Sequence, residues 1–122
     1  CVWKLWDMRS HCTGVRDEIF GSEGKIDSSI GNAFLHAYCN CHVARKCGVS
    51  AAQRYWDTHE QRQENVCAAA SIDFHNNEVG RSISSKAGDC KDLVLDAMAD
   101  GLLRWSATQP PALCPTLESN QP

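Results

Sequence analysis

Apolar residues recur at helical spacing along most of the chain, and no segment shows the strict alternation that is typical of a strand. One set of apolar residues would lie on a single face of a helix: Ile30, Ala33, Phe34, Ala37, Cys41 and Ala44. This spacing predicts a helix over residues 29–46. The same pattern predicts helices over 50–65, 66–79 and 90–105, and one or two helical pieces within 1–20, broken near Gly14.

Residues that begin and end helices lie at the expected places in this pattern. Asp27 or Ser28 can cap the first central helix, and Gly48 is a suitable stop for it. Ser50 and Asp89 are natural N-caps for the second and fourth central helices. Because only about three residues join the first two central helices, we expect them to pack antiparallel. The pattern therefore predicts an all-α fold, a compact bundle of about four to five helices.

A chain of 122 residues is long enough for one domain with its own core, and we interpret residues 1–122 in that way. Residues 1–28 are predicted to be an N-terminal segment that docks on the core through its tryptophans. Residues 29–105 form the predicted helical core. Residues 106–122 contain all four prolines and are predicted to be an irregular tail. Because the chain opens on Cys1 rather than Met, we expect it to be a fragment of a longer protein.

The sequence contains eight cysteines, so we predict that disulfides crosslink the helical bundle. They are spread from one end to the other: Cys1, Cys12, Cys39, Cys41, Cys47, Cys67, Cys90 and Cys114. An even number spread in this way fits up to four disulfides and an oxidising compartment. Metal ligation by Cys39, Cys41 and Cys47 is the alternative, but no CxxC pair is present and the spacing matches structural zinc sites poorly. The connectivity stays open, because eight cysteines allow many pairings.

The charge pattern argues against a nucleic-acid partner, and the short apolar runs argue against a transmembrane segment. Acidic and basic residues are mixed, the formal net charge is −3, and there is no basic block, so the chain has no strong nucleic-acid signature. No apolar run approaches the roughly 20 residues that span a bilayer, so we predict no transmembrane segment.

Three polar clusters interrupt the apolar faces of the central helices. They are Asn32, His36 and Asn40; Asp57, His59 and Glu60; and Asp73, His75, Asn76 and Asn77. Burying such side chains without partners costs several kcal/mol, about 2–7 for a neutral group, so we expect the clusters to meet. Counting about 1.5 Å per residue from the turn places His59 level with Asn40.

These residue types suit acid–base chemistry or a divalent cation. The predicted catalytic set consists of His36, Asp57, His59, Glu60 and Asp73. The predicted substrate-binding set consists of Asn40, Asn76, Asn77 and Arg81. Imidazoles and carboxylates also ligate metals, so His36, His59 and Asp73 are candidate ligands of a divalent metal ion whose identity is unknown. HExxH is absent, and a purely structural role for a buried, hydrogen-bonded histidine stays open.

The segments GNAFLHAY, WDTHE, DFHNNEVGR and DGLLRW give the chain a resemblance over residues 31–103. It resembles uncharacterised domains at the C-termini of bacterial RHS-repeat and other polymorphic toxin proteins. The residues that match that pattern are Asn32, His36, Asp57, His59, Glu60, Asp73, Asn76, Asn77, Gly80 and Arg81. Leu35 and Cys39 depart from it, standing where Arg and Trp are frequent. The resemblance implies a toxin domain delivered by a larger protein, with a cognate immunity protein as its partner, and implies no particular reaction.

The residues and the resemblance together lead to one expectation and two alternatives. We expect a secreted antibacterial effector, a His/Asp-dependent hydrolase acting on a cell-envelope component, phospholipid or peptidoglycan, in the target-cell periplasm or extracellularly. A metal-dependent nuclease toxin would use the same residues. A non-catalytic, disulfide-rich binding module is the alternative from another class.

Overall fold

A computed structural model describes residues 1, 5–25, 29–62 and 67–105, with side chains throughout these ranges except 59–62 and 67–71. The described elements are α1 (Leu5–Phe20), a 3-10 helix (Gly21–Lys25), α2 (Ile30–Cys47), α3 (Val49–Arg62), α4 (Cys67–Ile83) and α5 (Cys90–Ala99). No strand occurs within these ranges. The predicted all-α bundle is confirmed.

Local capping signals explain the ends of α2, although the predicted cap residue was wrong. Ser29, not Asp27 or Ser28, occupies the N-cap, and its hydroxyl accepts a hydrogen bond from the Asn32 backbone N–H at 3.1 Å. Gly48 ends the helix as predicted, with a positive φ of 95° that favours glycine.

The other helices also differ from the predictions. α3 begins at Val49, so Ser50 lies inside this helix and is not its N-cap. α1 runs through Gly14 without the predicted break, because one interior glycine costs a helix only about 1 kcal/mol. α4 continues past Gly80 to Ile83. α5 ends at Ala99 rather than Trp105: the N–H groups of Gly101 and Leu102 donate to the carbonyls of Met98 and Ala97, which closes the helix in a Schellman motif.

α2 lies at the centre of the molecule and contacts each of the other four α-helices. Most of its residues are buried, and Phe34, Val43, Trp56 and Val94 are among the large side chains that fill the core. α1 packs on this core through residues such as Met8 and Val15. Trp6 is 74% exposed, so the prediction that the N-terminal tryptophans dock is wrong for Trp6; Trp3 lies outside the described residues.

Three disulfides tie the bundle together, and each has at least one cysteine in α2: Cys1–Cys47, Cys12–Cys39 and Cys41–Cys90. The disulfide prediction is confirmed for these six residues. Metal ligation by Cys39, Cys41 and Cys47 is ruled out, because all three are oxidised partners. Cys67 and Cys114 lie outside the described side chains, as does the whole predicted tail over 106–122.

None of the helices in the described ranges has the length and apolar character needed to cross a bilayer. This finding agrees with the prediction made from the apolar runs.

Candidate functional site

The polar clusters meet where α4 crosses α2 at very close range. A Cβ built on Gly80 would lie 2.1 Å from the Ala37 carbonyl oxygen, so only glycine lets the two backbones approach this far. His36 and Asn40 flank Ala37 on α2, and Asn77 and Arg81 flank Gly80 on α4. The close approach therefore brings polar side chains that are distant in sequence within hydrogen-bonding distance of one another.

His36 lies between two side chains of α4. Its Nδ1 is 2.8 Å from Asn77 Oδ1, and its Nε2 is 3.7 Å from Asp73 Oδ1. The residue is 5% exposed, and its ring makes an edge contact with the Trp56 indole, with 5.3 Å between ring centroids. His36 therefore has an amide oxygen at one ring nitrogen and a carboxylate near the other.

The amide of Asn40 and the ion pair between Arg81 and Asp57 extend the hydrogen-bond network around His36. Asn40 is fully buried and donates from Nδ2 to the His36 carbonyl oxygen at 2.8 Å and to Asn77 Oδ1 at 2.9 Å. Arg81 donates to Asn40 Oδ1 and to Asp57 Oδ1, each at 3.0 Å, and to Asp57 Oδ2 at 3.3 Å. Asn77 Nδ2 also donates to Asp57 Oδ1 at 3.2 Å. The three helices α2, α3 and α4 thus share one connected network.

Asp73 is an acidic residue beside His36, and its side chain is only slightly exposed. Asn32 Nδ2 donates to Asp73 Oδ1 at 3.3 Å. Asp57, with Arg81, forms a neutral pair, whereas Asp73 faces a histidine whose charge depends on its protonation. A proton on His36 would therefore bring the cluster to neutrality.

Asn76 and His75 point to a different part of the molecule. Asn76 Nδ2 donates to the Arg104 carbonyl at 2.8 Å, and its Oδ1 accepts from the Arg104 N–H at 2.9 Å. His75 Nε2 donates to the Leu102 carbonyl at 2.7 Å. These bonds hold the segment after α5 against α4. They account structurally for Asn76, whose predicted contact with substrate stays a prediction.

His59 and Glu60 lie in α3, but their side chains lie outside the described set, so their predicted roles stay predictions. Among the side chains that the structure describes, no three of the His, Cys, Asp and Glu type are arranged to hold a metal ion. Of the three candidate metal ligands, His36 and Asp73 face each other, and two ligands alone do not complete a structural site.

The sequence patterns missed a second group of aromatic and imidazole side chains, which lies where α1 packs on α2. His11 Nε2 lies 2.9 Å from the Tyr38 hydroxyl, and the rings of His11 and His42 are 4.8 Å apart between centroids. Burial lowers the pKa of His42, and the nearby His11 and Lys46 lower it further. Burial also raises the pKa of Tyr38, helped by Asp89. No sequence signal links α1 to this face, because the pairing is set by how α1 packs.

Comparison with known proteins gives a family but no activity. Residues 1–101 match a family described as "Domain of unknown function (DUF6973)". No curated protein and no solved structure matches the chain.

Proposed function

The chain belongs to the DUF6973 family of domains of unknown function, and we propose that it is a secreted antibacterial effector that hydrolyses a cell-envelope component, phospholipid or peptidoglycan. In this proposal His36 is the general base and Asp73 its acidic partner. Asn77, Asn40, Arg81 and Asp57 hold the imidazole in place.

The observation that carries the proposal is the position of His36 between Asn77 and Asp73. Nε2 of His36 and Oδ1 of Asp73 are 3.7 Å apart. Two acceptors at this separation can both accept hydrogens of one water molecule at ordinary hydrogen-bond lengths of about 2.8 Å. Such an arrangement suits activation of water for attack on an ester or amide carbonyl.

The hydrolytic step balances with these two groups. His36 takes one proton from water as its oxygen attacks the carbonyl carbon, and the Asp73 carboxylate stabilises the imidazolium that forms. The imidazolium then returns the proton to the leaving alkoxide or amine when the carbon–heteroatom bond breaks. His59 and Glu60 remain predicted additional acid–base groups at the neighbouring part of α3.

The oxidised cysteines support action outside the cytosol. Three disulfides link α2 to α1, to α5 and to Cys1, and disulfides persist in oxidising compartments such as the periplasm. The resemblance to polymorphic toxin domains supports delivery by a larger protein and a cognate immunity protein as partner. A phospholipid or peptidoglycan substrate would then be within reach.

The test expresses the chain in bacteria with and without a periplasmic signal, using cells with an oxidising cytoplasm for the second arm so that disulfides form in both. The variant is His36→Asn, since asparagine keeps a donor near the position of Nδ1 and removes Nε2. His75→Gln is the matched control, because His75 lies outside the network. We expect killing only from the periplasm, loss of killing in folded His36→Asn, and normal killing by the control.

Two outcomes would overturn the proposal. Killing only from the cytoplasm, with metal-dependent loss of plasmid DNA, would select the nuclease. Killing by His36→Asn in proportion to its folded amount would select a binding module, in which the network has a structural role. The binding module has its own support, because Asn40 and Asn77 are fully buried and bonded within the network.

If the hydrolase is supported, the products released by the purified protein distinguish its two candidate substrates. Fatty acid would indicate phospholipid, and peptidoglycan fragments would indicate peptidoglycan.

A further inference from the structure

Two histidines from different helices lie side by side where α1 packs on α2, outside the network around His36. We propose that His11 and His42 form a two-histidine site for an exchangeable transition-metal cation of the class of Zn²⁺, Ni²⁺ and Cu²⁺. Their rings are 4.8 Å apart between centroids, although the residues are distant in sequence. This site is independent of the proposed hydrolase.

The spacing of the two rings fits one metal ion between them. A metal ion binds an imidazole nitrogen at about 2.0–2.1 Å, which places it about 3.2 Å from the centroid of that ring. For centroids 4.8 Å apart, an ion at this distance from both corresponds to an N–metal–N angle of about 97°. This angle lies between the octahedral and the tetrahedral value, so the helices already hold the rings at a separation suited to ligation.

The surroundings of the two rings restrict their positions. Cys12 follows His11 directly and forms a disulfide with Cys39, which lies about one helical turn before His42 on α2. Tyr38 contacts both rings: its hydroxyl lies 2.9 Å from His11 Nε2, and its ring stacks on that of His42 with 5.9 Å between centroids. A pair of ligands that is held in place before binding loses less conformational freedom when the ion binds.

A metal ion can reach this pair from solvent. His11 is exposed and His42 is half-buried. Ligation needs neutral imidazoles, and the lowered pKa of His42 keeps its ring neutral at pH 7. Lys46 carries a positive charge that opposes a cation, but this residue is exposed, so water and salt screen the charge.

The residue types select the class of ion. Imidazole nitrogens suit Zn²⁺, Ni²⁺ and Cu²⁺, whereas Ca²⁺ and Mg²⁺ prefer oxygen ligands. No third ligand of the His, Cys, Asp or Glu type joins the pair among the residues that the structure describes. Water would therefore complete the coordination, and the ion would exchange with solvent instead of forming a closed structural site.

The experiment titrates Zn²⁺ into the full, disulfide-intact chain after treatment with a chelator, and NMR of the histidine side chains follows each ring. The rings of His11 and His42 should shift together along one saturation curve. The ring of His75, which is bonded to the Leu102 carbonyl, should stay unchanged over the same range. Ca²⁺ at the same concentrations should shift none of these rings.

Single substitutions test whether the two rings hold one ion. In folded His42→Gln the remaining His11 ring should respond only at Zn²⁺ concentrations at least about tenfold higher, because removal of even an outer-shell partner costs that much affinity. His11→Gln should have the same effect on the His42 ring. His75→Gln is the matched control, and both rings should respond in it as in the parent chain. Amide dispersion in the same samples reports whether each variant is folded.

Zn²⁺ that shifts neither ring, or that shifts the two rings along separate curves, would overturn the proposal whether or not the variants fold. A folded single variant whose remaining ring responds at the parent concentration would also overturn it, because each imidazole would then bind alone. An equal response to Ca²⁺ would overturn the assignment of the ion class.

Discussion

Replacing Gly80 with alanine should have two opposite effects on the free energy of unfolding. The gain in helix propensity raises it, and the disturbed contact between α2 and α4 lowers it. At an exposed position inside a helix, alanine stabilises the helix by about 1 kcal/mol relative to glycine. At Gly80 the new Cβ would lie 2.1 Å from the Ala37 carbonyl oxygen, 2.8 Å from its carbon and 2.9 Å from its Cα. All three are backbone atoms, so no flexible side chain can move aside.

The size of the effect follows from these distances. Ordinary contact begins at 3.4 Å, so the helices must separate by about 1 Å or shift along one another. Overpacking of this kind typically costs about 1–3 kcal/mol. The same displacement would stretch the 2.8 Å bond between His36 and Asn77 beyond hydrogen-bond length, and a lost bond costs about 1 kcal/mol more. We expect Gly80→Ala to lower the free energy of unfolding by about 2 kcal/mol after the gain in propensity is subtracted.

Gly14→Ala is the matched control, because Gly14 is also inside a helix and nothing lies within 4 Å of its added Cβ. It should raise the free energy of unfolding by about 0.5–1 kcal/mol. Urea unfolding followed by circular dichroism, with the disulfides intact, measures both values. A Gly80→Ala variant at least as stable as the parent, alongside a stabilised Gly14→Ala, would refute the close-approach argument.

Three further predictions follow from other contacts. Arg45→Gln should lower the free energy of unfolding by about 1–3 kcal/mol and speed amide exchange in the turn after α4, because Arg45 donates to three carbonyls there at 2.6–2.9 Å; unchanged exchange would contradict this. Arg81→Met should cost about 3 kcal/mol in urea unfolding, because the Asp57 carboxylate is left without its guanidinium partner in a largely buried site; a cost within error of zero would contradict this. The lowered pKa of His42 means that the unfolded chain binds more protons between that pKa and about 6.5, so stability is full above about pH 6.5 and falls as the pH drops. His42→Gln should flatten that fall in thermal unfolding between about pH 7 and pH 5, and an equally steep fall would exclude His42 as its source.

The helices and the presence of a polar cluster were predictable because they depend on neighbours in sequence. The stripe of α2, the stop at Gly48 and polar side chains at inward positions are local features that the pattern contains. The end of α5 was predictable in principle too, because Gly101 suits the left-handed residue that follows a helix. The helical spacing of the apolar residues as far as Leu102 outweighed that signal. The pattern ended the predicted helix at residue 79 and could not show that Gly80 lets α4 approach another helix closely.

Asn76 and Asn77 illustrate the limit of the pattern. They are adjacent and chemically identical, yet Asn77 joins the network around His36 while Asn76 binds the backbone of Arg104. Successive residues of an α-helix are rotated by about 100° around the helix axis. The rotation of α4 about its own axis therefore decides which amide faces which neighbour. That rotation is set by the contact of Gly80 with Ala37, a residue on a different helix and far away in sequence.

The sequence by itself determined the all-α class, the inward faces and the residue types available for chemistry, because periodicity and capping act within a few residues. Tertiary structure alone decided the three cysteine pairings, the partner of each amide and the direction of the hydrogen bonds that reach His36. Those depend on contacts between residues that lie 20 to 49 positions apart. Such contacts exist only after the helices have packed, and their energies depend on distances of a few tenths of an ångström.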